Sequence, residues 1–313
     1  MKYDYTSIGF YTFDCLGRPV THIPPNGDTY LIEELTMAVS GAAGAAAVVA
    51  AKNGLSVQAV GGVGYDDMGD WVLAKLASFN IDIAMMQRCE GIGTSSSIVT
   101  TRPDGQRPAL HMKGATGAFD ITQDMVDDIL DSSIVHIGGV GLMDTVDGPK
   151  SFELFREAKK RGCITTLDVF AATSEDLLLV EGLLPNTDYF MPSIEEAQAL
   201  TGKQEPDDIA DCFISMGVEC CVITLGELGA YYHHRNGTRF YSPAYNIDVV
   251  CTCGCGDAFN AGFATALNKE MEPELAVRFA QACSALNATG LGSQAGVVDF
   301  KKTLEFTLST ATH

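Results

Sequence analysis

Apolar residues recur along this chain with the two spacings that mark strands and helices. Over Val249 to Leu267 a short β-branched approach gives way to small residues. Phe259, Phe263 and Leu267 then follow at i, i+4 and i+8 with Ala and Gly between them. This predicts a strand end, a glycine turn and a helix with a buried face. Short apolar runs at Tyr3 to Phe10, Gln58 to Val63, Ser133 to Ile137, Ile164 to Asp168, Tyr189 to Met191 and Glu219 to Leu225 read as strands. Helical spacing covers Trp71 to Phe79, Thr122 to Leu130, Pro149 to Arg161 and a last long helix, Pro273 to Ala288. Small residues from Ser40 to Gly54 form a closely packed helix, with Gly54 as its C-terminal cap. Met85 to Met112 reads as short strands with turns at Glu90-Gly91 and Pro103-Asp104-Gly105-Gln106. Tyr231 to His234 and Arg239 to Tyr241 form a hairpin about Asn236-Gly237, with His233 and His234 at the surface.

Beyond Gly114 strands and helices alternate, which is the pattern of an α/β fold. At 313 residues, 46% of them hydrophobic, the chain suits one large domain with at most a small appendage. The net charge of -20 argues against a basic nucleic-acid surface and against binding to anionic lipid. It also means that any anion site must create its own local positive potential. The N-terminal residues lack a signal-peptide core, and no apolar run reaches the ~20 residues of a spanning helix. The ten cysteines are therefore expected as reduced thiols in a cytoplasmic protein, most of them filling small core spaces. Cys251, Cys253 and Cys255 lack zinc spacing. Cys255, at a helix N-terminus, is a candidate redox-sensitive thiol.

The candidate chemistry lies in Gly254-Cys255-Gly256-Asp257. A glycine turn feeding a helix exposes backbone N–H groups, and the helix dipole adds positive potential there. Asp257 either complements that helix terminus or accepts a proton from a hydroxyl attacking a bound phosphoryl group. The second reading is phosphoryl transfer. Ser193 and Glu196 form a capping-box pattern at the start of another helix. Gly138-Gly139-Val140-Gly141 lacks dinucleotide-binding spacing, and no Gly-x-x-x-x-Gly-Lys-Ser/Thr loop occurs. Arg107, His111 and Lys113 are the basic residues nearest the expected site.

The stretch Cys251-Thr252-Cys253-Gly254-Cys255-Gly256-Asp257-Ala258-Phe259 resembles the second signature of the ribokinase-like (PfkB) carbohydrate kinases, with Cys251 in place of its leading Asp. Gly9-x-x-x-x-Asp14, Ser40-Gly41 with Ala45 where the family has Asn, Gly64 to Gly69, Glu196, and Thr224-x-Gly226-x-x-Gly229 follow the family in order. The resemblance implies a three-layer α/β/α fold with a mostly parallel central sheet. A small β lid would come from insertions at about 11–39 and 85–113 of a single domain spanning 1–313. It implies transfer of the ATP γ-phosphoryl group to a hydroxyl of a sugar or sugar-like substrate, with Asp257 as base and the N–H groups of Gly254, Cys255 and Gly256 holding the phosphoryl group. Asp14, Gly41 and Ala42 would face the substrate. Thr224, Gly226, Gly229, Gln281, Gly292 and Ser193 would contact the nucleotide, and Glu196 would order Mg²⁺ through water. A nucleoside kinase of the same family, or a non-catalytic binding protein on this fold, are the alternatives. Dimerisation through the lid is expected, without nucleic-acid or membrane partners.

Overall fold

A computed structural model describes residues 1–312. The chain opens with β1 (Tyr3–Gly9), β2 (Thr12–Arg18) and β3 (Glu34–Ser40), then α1 (Ala42–Lys52), β4 (Val57–Gly64), α2 (Asp67–Ser78) and β5 (Asp82–Cys89). Next come β6 (Ser96–Thr100), β7 (Ala109–Met112), α3 (Val126–Ile129), β8 (Ser132–Val140), α4 (Pro149–Lys160), β9 (Ile164–Val169), α5 (Leu177–Leu183) and β10 (Tyr189–Phe190). The remainder is α6 (Ile194–Thr201), α7 (Pro206–Ser215), β11 (Cys220–Thr224), β12 (Ala230–His234), β13 (Arg239–Ser242), α8 (Cys255–Asn268), α9 (Pro273–Ala288) and α10 (Phe300–Ser309).

Nine strands form one sheet in the order β13-β12-β11-β10-β9-β8-β1-β4-β5. Its seven strands from β11 to β5 run parallel, and β12 and β13 add an antiparallel edge. Alternation within the strands divides the core in two. Tyr5, Val57, Ala59, Cys220 and Val222 face a cluster with α1, α2, α8 and α9, while Ile8, Val60, Cys221 and Ile223 face α4, α6 and α7. Both faces are covered, so the strands read as continuous apolar runs rather than as alternating ones. Every residue of α1 from Ala42 to Ala50 is buried. Its small side chains bring the helix close to β1 and α8, which sets the Ser40-Gly41 turn above the carboxyl ends of the strands.

The second sheet has the order β3-β2-β6-β7. Its register places Ala38, Asp14, Ser97 and His111 in one row across all four strands. The neighbouring row is Met37, Cys15, Ile98 and Leu110. Successive side chains point to opposite faces, so the first row turns inward with Asp14, and the second turns outward. Met37, Ile98 and Leu110 are 51, 58 and 69% exposed.

Three expectations need correction. The stretch 85–113 is not all lid: Met85 to Cys89 belongs to β5 and pairs with β4 at the edge of the large sheet, so the lid strands begin at Ser96. The β-like reading was right there, but a strand's partner is not visible in its own residues. Ala288 does not end the helical structure, because α10 follows with Asp299 capping it through its carboxylate. His233 is buried, with Asp207 and Asp211 of α7 within 3.5 and 3.7 Å. Packing of α7 on the sheet covers that position.

Candidate active site

Gly254 takes the left-handed conformation, φ 73°, that turns the chain into α8. A side chain there would lie 2.7 Å from the Ser293 Cβ, so glycine is required twice over. No side chain caps α8. The Cys255 N–H donates to the Thr252 carbonyl at 3.3 Å, and the first intrahelical bond runs from the Ala258 N–H to the Gly254 carbonyl. The N–H groups of Gly256 and Asp257 are left without a protein acceptor among the described residues. Nothing among the described residues lies within 4 Å of a side chain placed on Gly256, so this helix terminus is open to an anion.

Asp257 sits in the first turn of this helix, partly buried. Burial pushes its carboxyl up to about 6; the Arg107 guanidinium pulls it down, and the charges of Glu196 and Asp14 push it up. Arg107 comes from the β6–β7 hairpin of the lid and is exposed. That hairpin touches the glycine turn where the Thr252 hydroxyl donates to the Gly105 carbonyl at 3.4 Å. Asp14, 3% exposed, lies among Thr12, Ser40 and Ser97, and burial raises its pKa. Gly41 has φ 84° and a side chain there would stand 2.4 Å from the Phe10 carbonyl oxygen. It therefore permits the N-terminus of α1, with Ala42, to reach the end of β1, where the Ala43 N–H donates to Phe10.

A cleft of about 600 Å³ opens beside the N-terminal turn of α8. Thr224, Gly226, Gly229, Asn246, Cys255, Gly256, Gln281 and Ser284 are among its lining residues. Gly226 and Gly229 both have positive φ, and they fold the 3₁₀ turn that keeps β11 and β12 close at the rim. Gln281 accepts from the Ser242 hydroxyl and donates to the Ser242 and Pro243 carbonyls, fixing the cleft floor.

Of the expected nucleotide residues, Gly292 lies away from the cleft, while Ser193 pairs through an isolated parallel bridge with the cleft residue Thr224. Gly292 does not line the cleft; its nearest neighbours are Thr36 and Ala38 of lid strand β3, at 3.7–3.8 Å from a side chain placed on it. The turn after α9 reverses the chain, which counting along the sequence does not reveal. Ser193 is held in the capping box: its hydroxyl donates to Glu196 Oε2 at 2.8 Å and accepts from the Glu196 N–H at 3.3 Å. The other Glu196 oxygen accepts from the Ala171 N–H at 2.9 Å.

Asp168, at the end of β9, is the site residue that sequence reasoning passed over. It is 7% exposed and held well above the ordinary carboxylate range by burial, then by the charges of Glu196 and Asp257. Its signal was available: it is an Asp at the carboxyl end of a parallel strand, where ligands of open α/β sheets bind. Mutual repulsion among Asp168, Glu196 and Asp257 favours a cation nearby. Among the described residues no three potential ligands converge at direct coordination distance. Three neighbouring carboxylates are hard oxygen donors, a set whose chemistry suits a hydrated cation.

The thiols behave as fillers. Cys251 and Cys253 pack with Leu16, Ala38, Val99 and Leu291 between lid and core. Burial raises the Cys255 thiol above its ordinary value, which corrects the expectation of a lowered one: enclosure outweighs the helix terminus.

A helix N-terminus open to an anion, an adjacent carboxylate and a nucleotide-sized cleft under a β lid are the equipment of a phosphotransferase acting on an alcohol. The model of the pfkB family of carbohydrate kinases matches residues 4–299, and the chain belongs to that family. It is 26% identical over 278 residues to a ribokinase of Staphylococcus aureus, covering 87% of this chain and 89% of that protein. It is 25% identical over 272 residues to fructokinase-1 of rice, covering 82 and 84%. The structure of Arabidopsis thaliana ribokinase complexed with ribose and ATP superposes with a TM-score of 0.82 at 21% identity, covering 98% of this chain and 99% of that one.

Proposed function

We propose that this protein transfers the γ-phosphoryl group of ATP to a hydroxyl of a sugar, with Asp257 as the general base. The observation that carries the reading is Asp257 itself: a carboxylate in the first turn of α8, beside N–H groups with no protein acceptor among the described residues, and within electrostatic reach of Asp14 and the lid residue Arg107. At neutral pH a carboxyl with a pKa of about 6 is mostly ionised and basic enough to take a hydroxyl proton. Asp14, with Gly41 and Ala42 beside it, orients the acceptor hydroxyls. The N–H groups of Gly256 and Asp257 hold the phosphoryl oxygens, whereas the Cys255 N–H expected beside them is engaged by the Thr252 carbonyl; Arg107 adds the local positive charge that an acidic protein otherwise lacks. Thr224, Gly226, Gly229 and Gln281 form the nucleotide cleft, whose size suits ATP. Mg²⁺, when bound with ATP, neutralises phosphate charge. Glu196 and Asp168 would hold its hydration shell.

The lid also provides the surface for a homodimer. Its outward row of Met37, Ile98 and Leu110 is apolar and exposed, and a second copy would cover it. All ten cysteines are free thiols, which suits a reducing compartment such as the cytoplasm. The deciding experiment measures ADP release with Mg²⁺ and ATP across ketoses, aldoses, their monophosphates and nucleosides. A sugar responder whose turnover collapses in Asp257→Asn supports the reading; ADP release that is insensitive to that change overturns it.

A further inference from the structure

Next to the buried Asp14 stands an aromatic wall that the proposed chemistry does not use. Phe10, Phe170 and His111 meet with ring centroids 5.2 Å (Phe10 to His111), 5.3 Å (Phe10 to Phe170) and 6.4 Å (His111 to Phe170) apart. They come from three separate places: the end of β1, the end of β9 and lid strand β7. Phe10 is buried, but Phe170 is 40% exposed and His111 is exposed as well. The His111 ring lies 3.1 Å from the Ser97 hydroxyl, and Ser97 and His111 share the inward row of the lid with Asp14. A half-exposed phenylalanine joined through His111 to a buried carboxylate is the composition of a sugar subsite, an apolar face together with a hydroxyl acceptor.

The backbone behind Phe170 is held in an unusual way. Ala171 has φ 48°, a left-handed conformation that L-residues other than Asn and Asp seldom take. Its N–H donates to Glu196 Oε1 at 2.9 Å, while Glu196 Oε2 is held by the Ser193 N–H and hydroxyl at 3.1 and 2.8 Å. Glu196 is in turn fixed in the first turn of α6, so its carboxylate ties the loop after β9 to that helix.

We propose, on the sugar-kinase reading above, that Phe170 with Phe10 and His111 is the wall on which the C–H face of the acceptor ring packs, and that Glu196 positions this wall through the Ala171 N–H. Glu196 thereby has a role toward the acceptor that needs neither metal nor nucleotide. The test is acceptor binding to the full chain by calorimetry with D-ribose, D-fructose and adenosine, without Mg²⁺ or ATP. Phe170→Ala is expected to weaken binding about tenfold, the loss of one aromatic contact. Phe170→Tyr restores it, and the KM for ATP stays unchanged in both. Glu196→Ala weakens the same metal-free binding, whereas Glu196→Gln, which keeps an oxygen for the Ala171 N–H, retains it. Undiminished binding in Phe170→Ala or in Glu196→Ala overturns the proposal, as does a wild-type protein that binds none of the three probes. A wild-type protein that binds a probe through Phe170 but releases no ADP with MgATP sinks the kinase reading and leaves the wall standing.

Discussion

Replacing Asp257 by Asn separates function from stability in opposite directions. The carboxyl is moved from its ordinary 3.8 to about 6 on folding, chiefly by burial. A folded pKa above the unfolded one means that the folded state binds the proton more tightly. The group therefore contributes stability below about pH 4, and that contribution is lost as pH rises through about 6. At pH 7 the ionised carboxylate costs the fold at most about 3 kcal/mol; Asp257 is partly exposed, and solvent screening brings this to about 1–2 kcal/mol. Asn keeps the shape and removes the charge, so Asp257→Asn is expected to melt about 2–3 °C higher at pH 7. The same change removes the base, worth about 10²–10⁴ in turnover. In the wild type, kcat/KM falls on the acid side with a midpoint near pH 6, reaching about one-tenth of its plateau at pH 5. In Asp257→Asn that acid limb disappears. The assays are coupled ADP release from pH 5 to 8.5 and calorimetric melting. Turnover within tenfold of wild type, or a lowered melting temperature with an unchanged acid limb, refutes both the base assignment and its electrostatics.

Three further outcomes follow from the same geometry. Arg107→Gln removes the cation that draws the Asp257 pKa down, so the acid limb of the pH profile shifts to higher pH; an unmoved limb means that the lid charge does not reach the base. Gly41→Ala places a methyl group 2.4 Å from the Phe10 carbonyl oxygen at φ 84°, and denaturant unfolding should show a loss of about 2–4 kcal/mol. Ile98→Asp puts a charge in the outward row of the lid; light scattering should change from dimer to monomer, and a monomeric wild-type protein removes the lid-interface reading.

What the sequence by itself determined was local. Gly254 and Gly256 announce the turn into α8, Ser193 and Glu196 the cap of α6, and Asn236-Gly237 the β12–β13 hairpin. The helix from Pro273 to Ala288 ends where its pattern ends. These features depend on residues within about one helical turn of each other, so their physics is written in adjacent letters. The motif order also carried the family, which the match over residues 4–299 shows.

Tertiary structure alone decided which distant groups meet. The order of β9 and β10 in the sheet brings Asp168 beside Glu196, and α8 adds Asp257, so three carboxylates separated by at least 28 residues share one field. The lid's register turns Asp14 inward and Ile98 outward, and a slip of one residue would exchange those faces. Strand pairing claims Met85 to Cys89 for the large sheet, and a chain reversal takes Gly292 away from the cleft. Burial raises the Cys255 thiol where its helix terminus alone would lower it. Each of these depends on which elements become neighbours, a free-energy decision made by burying both faces of the sheet at once. No single stretch of the chain contains it.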